Sequence, residues 1–362
     1  MSVRLCQTVE EARSIPQGVV SIGKDPLTCR VFNTEFDETT QRFDVAYEET
    51  QMFSGVYRAF ADDVIGRLGQ LFGLSGKRVL EVGCGKGYFL AALAKATGAK
   101  CVGLDPAIDT AMFDGAQEQS FRLIPERLSA AHADLRPDLV ICRHTLEHLA
   151  DPVGFLTLLR QVAGNAPLFL DVPDGGAVLR AGGFEEIYYE HASYFSEASL
   201  IATLAAAGWH VDTLDRRYHG QVLEVVARAG QPAASNLPKE PDVTDLHSAA
   251  IALDRRLDCA AQWFQARTGQ PIVLWGAGSR AVAAMAWLGG LAEVHAAVDI
   301  NPRKQGAFLP GTGHPVIAPA TLTNLDPSAV LVCNSAYMGE VAACLHDMGL
   351  APELASFDSI VA

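Results

Sequence analysis

The sequence has few of the features that mark a secreted, zinc-stabilised or membrane-spanning protein. Its eight cysteines form no C-x-x-C pair, so neither a zinc spacing nor a disulfide framework is indicated. The N-terminus carries acidic residues early and has no apolar signal core. No apolar run is long enough to span a membrane. These absences predict a cytoplasmic protein with reduced thiols and no membrane partner.

Positive charge is also scarce. The chain has 28 Lys and Arg residues against 42 Asp and Glu residues, which gives a formal net charge of −14. Nucleic-acid binding requires a basic face that meets phosphates, so this balance argues against a nucleic-acid partner. The overall negative charge does not exclude a local basic pocket that holds a small anionic molecule. Apolar residues make up 49% of the 362 positions, which is enough for two packed domains.

The most informative stretch is an apolar run that ends at an acid and continues into three glycines at alternate positions. It reads Val79-Leu-Glu-Val-Gly-Cys-Gly-Lys-Gly87 and precedes a helical pattern over Tyr88–Thr97. The pattern predicts a strand, a tight turn and a helix, and the glycines allow a ligand to approach the backbone closely. The amide-rich start of the helix would face that ligand. The spacing differs from the G-x-G-x-x-G of dinucleotide-binding turns.

Short apolar strands alternate with helical segments over residues 77–230, which predicts a parallel sheet covered on both faces. A helix over Val56–Phe72 precedes the glycine turn and would cover the sheet edge or form a lid over the ligand. Residues 231–245 have the composition of a linker. The predicted domains are an N-terminal segment with the lid helix (1–70), an α/β domain (71–230), the linker, and a smaller α/β domain (246–362). The predicted strands of the first α/β domain are Arg78–Val82, Lys100–Leu104, Phe121–Ile124, Asp138–Cys142, Leu168–Val172, His210–Leu214 and Val222–Ala227, the last two as an antiparallel edge.

The smaller domain repeats the strand–glycine–helix unit. The stretch Pro271-Ile-Val-Leu-Trp-Gly-Ala-Gly-Ser-Arg-Ala281 is followed by a predicted strand, Val294–Ile300, that carries Asp299 near its end. A G-x-G-x-x-A turn with an acid on the next strand also fits a dinucleotide site. One alternative function is therefore a nicotinamide-dependent oxidoreductase or a nucleotide sensor that uses this domain.

Polar side chains follow two strands of the larger domain. Asp105, before Pro106, closes the second strand, where a carboxylate can accept both hydroxyls of a ribose. The cluster Arg143-His-Thr-Leu-Glu-His148 follows the fourth strand, at the sheet edge where ligands bind. His144, Glu147 and His148 have a spacing that could ligate a metal, but no second carboxylate–histidine pair accompanies them. We therefore predict no metal.

A third motif lies beyond the fifth strand and reads Glu186-Ile-Tyr-Tyr-Glu-His-Ala-Ser-Tyr-Phe-Ser196. His191 is a plausible general base near neutral pH, and the adjacent Glu190 can orient it or raise its basicity. Tyr189 is the third catalytic candidate in this segment. Group transfer to carbon requires removal of a proton from an acidified C–H bond, so a base here favours chemistry on carbon.

These motifs together resemble a known family. The glycine turn, Asp105-Pro106 and Arg143–His148 resemble class I S-adenosylmethionine (SAM) methyltransferases. Glu190-His191-x-x-Tyr194-Phe195-Ser196 resembles a motif of the sugar C-methyltransferases, which act on deoxyketo sugars carried on a nucleoside diphosphate. The segments 275–280, 298–306 and 309–312 resemble the C-terminal domain of the same family. The resemblance implies a Rossmann-like sheet, a second and smaller Rossmann-like domain, a SAM cofactor and a small-molecule substrate, with a nucleotide-linked keto sugar as the expected type. A monomer or a homodimer is expected.

The resemblance also assigns roles to individual residues. The glycine turn would contact the methionine part of SAM, Asp105 the ribose, and the region 124–126 the adenine. The candidate catalytic residues are His191, Glu190 and Tyr189. The candidate cofactor-binding residues are Glu81, Gly83, Cys84, Gly85, Gly87, Asp105, Pro106, Glu126, Arg143 and His144. The candidate substrate-binding residues are Tyr47, Tyr57, His148, Tyr194, Gln221, Glu224, Arg280 and Lys304, of which Arg280 and Lys304 would meet phosphates.

One departure from the family concerns its N-terminal zinc module, which needs four cysteines at paired spacing. Only Cys6 and Cys29 precede the methyltransferase motifs here, so that module is missing or remodelled. Since the module normally helps to form the substrate side, an O- or N-methyltransferase of another small molecule is an alternative to carbon methylation.

Overall fold

The computed structural model describes residues 2–41, 43–109, 121–230, 245–291 and 293–361. The chain begins with a short helix and two short strands, followed by a long helix. These elements are α1 (Val9–Ser14), β1 (Ile22–Lys24), β2 (Val31–Asn33) and α2 (Gly55–Phe72). Helix α2 starts at Ser54, whose side chain accepts a hydrogen bond from the amide of Tyr57, and it confirms the helix predicted over Val56–Phe72.

The larger α/β domain is built on a seven-stranded sheet with the strand order β5-β4-β3-β6-β7-β10-β9, in which β10 runs opposite to the other six strands. This is the predicted parallel sheet with its antiparallel edge. The elements are β3 (Arg78–Val82), α3 (Tyr88–Thr97), β4 (Lys100–Leu104), β5 (Phe121–Ile124), β6 (Leu139–Arg143), α4 (Pro152–Ala163), β7 (Leu168–Pro173), α5 (Gly175–Ala181), β8 (Ser193–Tyr194), α6 (Glu197–Ala206), β9 (Trp209–Arg217) and β10 (Val222–Ala229).

Helices cover both faces of this sheet. On one face, Val64 and Leu68 of α2 and Leu90 of α3 pack against Ile141 and Phe169 of the central strands. On the other face, α4 and α6 pack against the same strands through their apolar sides. Helix α2 thus lies on a face of the sheet rather than at its edge, because its apolar stripe needs a broad buried surface. Only the start of α2 reaches the ligand side, as a lid would.

The smaller domain contains a five-stranded parallel sheet with the order β13-β12-β11-β14-β15. Its first helix starts at Asp245, whose carboxylate accepts hydrogen bonds from the amides of His247 and Ser248. The rest of the predicted linker 231–245 lies outside the described residues. The elements are α7 (Leu246–Gln265), β11 (Ile272–Trp275), α8 (Ser279–Leu288), β12 (Ala296–Val298), β13 (Val316–Ile317), α9 (Leu322–Leu325), β14 (Ala329–Val332), α10 (Met338–Asp347) and β15 (Glu353–Ser356).

The N-terminal segment joins the two domains. Strands β1 and β2 form an antiparallel sheet with β8, which belongs to the His191 motif. Cys6 pairs with Phe308 of the smaller domain through a backbone bridge. The first 54 residues therefore hold the His191 motif from one side. Within the described residues, no helix has the length and apolar composition that crossing a membrane requires.

Candidate active site

A cavity of about 870 Å³ lies between the two domains. Its wall includes the carboxyl ends of both parallel sheets, so both glycine turns face it, Gly83–Gly85 from one side and Gly276–Gly278 from the other. The N-terminal segment contributes a third wall, which includes Tyr47 and Glu49. Ligands of open α/β sheets bind at this edge of the strands, and here two such edges share one cavity.

The glycines of the first turn are required by close contacts. Gly83 and Gly85 have positive φ angles of 77° and 53°, which side-chain-bearing residues rarely adopt. A Cβ atom at Gly83 would lie 1.9 Å from Thr145 Oγ1, and one at Gly85 would lie 2.0 Å from Glu49 Oε1. Gly87 differs, since it starts helix α3 and packs on Leu123 outside the cavity lining. Its predicted cofactor contact is thus replaced by a structural role.

Asp105 fixes the shape of this turn. Its Oδ2 accepts a hydrogen bond from the amide of Gly85 at 2.9 Å, and its Oδ1 accepts one from the amide of Ala107 at 2.7 Å. Each carboxylate oxygen has a second lone pair, so the predicted ribose contact is compatible with this role. Pro106 and Glu126 also line the cavity, and the Glu126 carboxylate lies 3.5 Å from His132 Nε2.

Glu81 and Arg143 present unpaired polar atoms at the cavity wall. Arg143 Nε donates to Asp171 Oδ2 at 2.7 Å, and its guanidinium lies 4.2 Å from the ring centre of Phe89. Among the described residues, neither Arg143 Nη2 nor Glu81 Oε2 has a hydrogen-bond partner. Burial, reinforced by Asp171 against the opposing effect of Arg143, raises the pKa of Glu81 to about 8. An ammonium group beside Glu81 would favour its ionised form. The unpaired oxygen of Glu81 and the unpaired guanidinium nitrogen of Arg143 therefore fit a zwitterionic ligand such as the methionine part of SAM.

His144 has a strained backbone at the end of β6, with a φ angle of 44°. Its amide donates to Asp171 Oδ1 at 3.0 Å, and its ring lies 3.7 Å from both Asp171 and Glu147. Burial alone would lower the pKa of His144, but the Asp171 charge and the Glu147 hydrogen bond raise it above its ordinary value. The ring lines the cavity beside the first glycine turn, where the cofactor contact was predicted.

His191 also lines the cavity and is held in one tautomer. Its Nδ1 lies 3.2 Å from the carbonyl oxygen of Glu186. Since a carbonyl oxygen only accepts, Nδ1 carries the proton and Nε2 keeps its lone pair. Nε2 in turn accepts a hydrogen bond from the Tyr188 hydroxyl at 2.6 Å. Burial, together with repulsion from His148, lowers the pKa of His191 well below its ordinary value, so the ring is neutral at neutral pH.

The neighbours of His191 differ from the predicted ones in two respects. The Glu190 carboxylate accepts a hydrogen bond from the amide of Ser2, and its charge acts to raise the pKa of His191, as predicted. The imidazole is oriented by the Glu186 carbonyl instead. Tyr189 points to the N-terminal segment, where its hydroxyl accepts from the amide of Asp37 at 2.8 Å. The tyrosine at the base is Tyr188. A loop sends successive side chains in different directions, so the sequence could not decide between the two tyrosines.

His148 lies on the same wall. Its Nδ1 donates to the carbonyl oxygen of Glu190 at 2.8 Å, and its ring centre is 5.2 Å from that of His191. In the described part of the chain, Glu147, His148 and His191 form a group whose donor atoms lie within 4.8 Å of one another, close enough to be a candidate metal site. Zinc bonds of about 2.0–2.2 Å would require these atoms to approach more closely. The sequence spacing had instead grouped His144 with Glu147 and His148 as possible metal ligands.

The predicted substrate-binding residues separate into two groups. Tyr47, Tyr57, His148, Gln221, Arg280 and Lys304 line the cavity. Tyr194 is instead buried in β8, where it pairs with Val31. Glu224 is buried on β10 and forms a two-point ion pair with Arg67 of α2, with 2.8 Å between Nη2 and Oε2. These last two predictions are corrected, because both side chains are used to join elements of the fold.

Gln221 connects the two domains at the far end of the cavity. It accepts a hydrogen bond from Arg280 at 2.9 Å and donates to Asn334 Oδ1 at 3.1 Å. Arg280 is also ion-paired with Glu186. Asn334 follows strand β14, and sequence analysis passed over it although its position at a strand end is the signal that identified Asp105. Tyr218 and Tyr337, which also line the cavity, have no comparable sequence signal.

The second glycine turn has the same internal hydrogen bonds as the first. Asp299 accepts from the amides of Ala277 and Asn301, both at 2.8 Å, as Asp105 does from Gly85 and Ala107. Lys304 lies 3.7 Å from the Asp299 carboxylate and donates to the carbonyl of Ala277 at 3.1 Å. Asp299 thus stabilises its turn, and the ammonium group of Lys304 lies beside its carboxylate.

Comparisons with known proteins agree with this architecture. Residues 52–214 match the family described as a methyltransferase domain, and residues 252–349 match the C-methyltransferase C-terminal domain. The chain is 27% identical over 377 residues to C-methyltransferase NovU of Streptomyces niveus, over 89% of this chain and 88% of that protein. A ubiquinone biosynthesis O-methyltransferase of Bordetella parapertussis is 39% identical over 87 residues, which is 22% of this chain and 36% of that protein.

A solved structure is also similar. The crystal structure of magnesium protoporphyrin IX methyltransferase (ChlM) from Synechocystis PCC 6803 with bound SAH matches 48% of this chain and 84% of that chain, with a TM-score of 0.39 and 21% identity.

The Rossmann-like sheet, the glycine turn at its edge and the matched domain define this chain as a class I SAM-dependent methyltransferase. More narrowly, it joins such a domain to a region that matches the C-methyltransferase C-terminal domain, and it is similar to C-methyltransferase NovU over most of its length. The predicted family, fold class, enzyme class and cofactor are confirmed. Because residues 252–349 belong to the C-methyltransferase domain, the nicotinamide-dependent alternative is not retained.

Proposed function

We propose that the enzyme methylates a carbon next to a ketone, in a small molecule that carries a nucleotide. The observation that supports this most directly is the neutral His191 ring in the cavity between the two domains. Its Nδ1 proton is fixed by the Glu186 carbonyl, so Nε2 carries the basic lone pair. A general base must be unprotonated to remove a proton from carbon, and the buried ring meets this condition at neutral pH.

The geometry around Nε2 indicates how the acceptor would bind. In the structure the Tyr188 hydroxyl occupies the hydrogen-bonding position at Nε2. An acceptor whose C–H bond approaches Nε2 displaces this hydroxyl, and the O–H group is then close enough to donate to the ketone oxygen. His191 takes the proton, and the electron pair of the C–H bond moves to the oxygen to form an enolate. Tyr188 would stabilise the negative charge there.

SAM, when bound, supplies the methyl group as an electrophile. That methyl group would be transferred to the enolate carbon, and the electron pair of the methyl–sulfur bond would stay on sulfur. Glu81, Arg143 and the first glycine turn would hold the cofactor so that the methyl group faces the acceptor, and this placement contributes much of the rate. His191 Nε2 afterwards loses its proton to solvent.

A nucleotide-linked acceptor is supported by the charges on the other side of the cavity. Arg280 and Lys304 line it beside the second glycine turn, where they are also paired with the carboxylates of Glu186 and Asp299. Helix α8 starts at that turn. Guanidinium and ammonium groups next to backbone amides suit the phosphates of a nucleoside diphosphate. The acceptor would then extend from this turn to His191, with its ketone at Tyr188.

Deuterium exchange at the acceptor carbon tests the proposal. The enzyme is incubated in D₂O with SAH and nucleotide-linked keto sugars, and loss of the α-proton is followed by NMR. We expect exchange with wild type and none with His191→Asn, while the SAH dissociation constant stays within about twofold because His191 is not a cofactor ligand. Methyl transfer without any exchange, or exchange retained by His191→Asn, would contradict the assignment. An O- or N-methyltransferase requires no such proton loss.

A further inference from the structure

A carboxylate from the N-terminal segment lies directly on the first glycine turn. Glu49 precedes the matched methyltransferase region, which starts at residue 52. Its Oε1 accepts a hydrogen bond from the amide of Lys86 at 3.1 Å. The same atom lies where a Cβ of Gly85 would come within 2.0 Å. Gly85 therefore leaves room for the Glu49 carboxylate.

The segment around Glu49 is held from both domains. Lys86 Nζ donates to the carbonyl of Val45 at 3.0 Å. The neighbouring Glu48 turns the opposite way and accepts from Asn301 Nδ2 of the smaller domain at 3.1 Å. Glu48 is outside the cavity lining, whereas Glu49 is part of it. The backbone is thus fixed so that one of two consecutive carboxylates points into the cavity.

Glu49 and Asp105 lie side by side on consecutive amides. The amide of Gly85 donates to Asp105 Oδ2 at 2.9 Å, and the amide of Lys86 donates to Glu49 Oε1. Burial first, and then repulsion from Asp105, raises the pKa of Glu49 to about 7. The nearest cation does not neutralise the pair directly, because Lys86 Nζ donates to the carbonyls of Val45 and Ala107.

One oxygen of this pair still lacks a partner. Glu49 Oε2 is buried and has no hydrogen-bond partner among the described residues. Asp105 already accepts two amide hydrogen bonds, but each of its oxygens keeps a second lone pair. An oxygen that lacks a donor, next to a carboxylate that can accept further bonds, matches a vicinal diol, which offers two O–H groups on neighbouring carbons. The ribose of SAM carries such a diol, and Asp105 is at the position where methyltransferase-type sheets meet the ribose.

We propose that Glu49 is a cofactor-binding residue that shares the two ribose hydroxyls of SAM with Asp105. The N-terminal segment thereby completes the cofactor site of the methyltransferase domain. This inference rests on the cofactor and on the geometry of residues 45–49 and 83–105. It does not depend on the acceptor or on the role of His191.

Calorimetric titration with two ligands tests it. SAH contains the ribose and the amino-acid part, whereas 5′-methylthioadenosine contains the ribose without the amino acid. Loss of a hydrogen bond to a charged group weakens binding by about ten- to hundredfold. We expect Glu49→Gln to weaken both ligands by similar factors in this range, with 5′-methylthioadenosine measured by competition against SAH. Glu38→Gln, an exposed position of the N-terminal segment outside the cavity lining, is the matched control and should leave both affinities within about twofold.

Two outcomes would overturn the inference. If Glu49→Gln weakens SAH but not 5′-methylthioadenosine, then Glu49 binds the ammonium group of the amino acid instead. If neither affinity changes, Glu49 only anchors its segment. Thermal unfolding of both variants without ligand shows whether folding is intact. If Glu49→Gln does not fold, the same two titrations are carried out with Glu49→Asp. The deuterium-exchange assay of the proposed reaction is run at saturating SAH, where a change in cofactor affinity has no effect. Failure of the inference about Glu49 is therefore distinguishable from failure of the proposed reaction.

Discussion

The hydroxyl of Tyr188 and Nε2 of His191 lie 2.6 Å apart, in a hydrogen bond that occupies the lone pair of the proposed base. The contact joins two residues of one motif whose backbone is fixed by strand β8 and the N-terminal sheet. A base protected in this way is kept from water until a molecule displaces the phenol. It also places an O–H donor at the position where an enolate oxygen would form.

This contact predicts that the two neighbouring tyrosines behave differently. Tyr188→Phe should lower kcat by about 10²–10³-fold, the range for loss of one donor to an oxyanion. Tyr189→Phe removes hydrogen bonds that all go to residues 35–40 of the N-terminal segment, the shortest being the one from the Asp37 amide, so kcat should stay within about twofold. Steady-state kinetics of both variants, with the SAH dissociation constant as control, checks this. Equal losses in the two variants would mean that the motif acts through its fold alone.

The buried His191 ring predicts an unusual acid limb in the pH–rate profile. Burial and His148 hold its pKa well below 6.5, so the basic form persists as the pH falls. We expect kcat to stay constant from pH 7.5 to 6, where an exposed histidine base would already lose activity. A loss of kcat with a midpoint near pH 6.5 that is independent of substrate affinity would contradict a buried neutral base.

The same pKa shift has a consequence for stability. The unfolded chain takes up a proton on this histidine near pH 6.5, whereas the folded protein does not. The contribution of His191 to stability is therefore fully present above pH 6.5 and is lost as the pH falls below it. His191→Asn should flatten the fall of the melting temperature between pH 6.5 and pH 5. This checks the burial of the ring independently of turnover.

Much of the larger domain follows from local sequence. Helix α3 has its predicted limits because a glycine stands on each side of it, Gly87 before its first residue and Gly98 after its last. Both glycines take left-handed conformations, which lie outside the helical region. The strands were found through continuous apolar runs, since strands buried on both faces have no polar side. Asp105 and His144 were found because they follow such strands.

The remaining parts of the site depend on contacts between residues far apart in the chain. The hydrogen bond between the Ser2 amide and Glu190 joins positions 188 residues apart, and no local sequence pattern predicts it. Glu49 lies on the glycine turn only because Lys86 and Asn301 hold its segment from two domains. The directions of Tyr188, Tyr189 and Tyr194 depend on how β8 pairs with the N-terminal sheet.

The ion pair between Glu224 and Arg67 predicts a loss of stability without a loss of substrate affinity. Glu224 is buried, and both its oxygens face the guanidinium. Glu224→Gln should lower the free energy of unfolding by about 1–3 kcal/mol, with the acceptor KM unchanged. Asp63→Asn is the matched control, because Asp63 pairs with the same arginine on the exposed side and should cost at most about 0.5 kcal/mol. A raised KM with unchanged stability would show that Glu224 contacts the substrate, as the sequence predicted.

Metal removal separates two interpretations of the Glu147, His148 and His191 group. A metal ion would need the lone pair of His191 Nε2, which here accepts the Tyr188 hydrogen bond, and a metal-bound histidine could not accept a proton from carbon. We therefore expect dialysis against EDTA to leave both methyl transfer and α-proton exchange unchanged. Loss of both activities on dialysis, with recovery on adding Zn²⁺ or another divalent ion, would show that the group binds a metal. The ion would then polarise the ketone, and the proton would have to leave to another base.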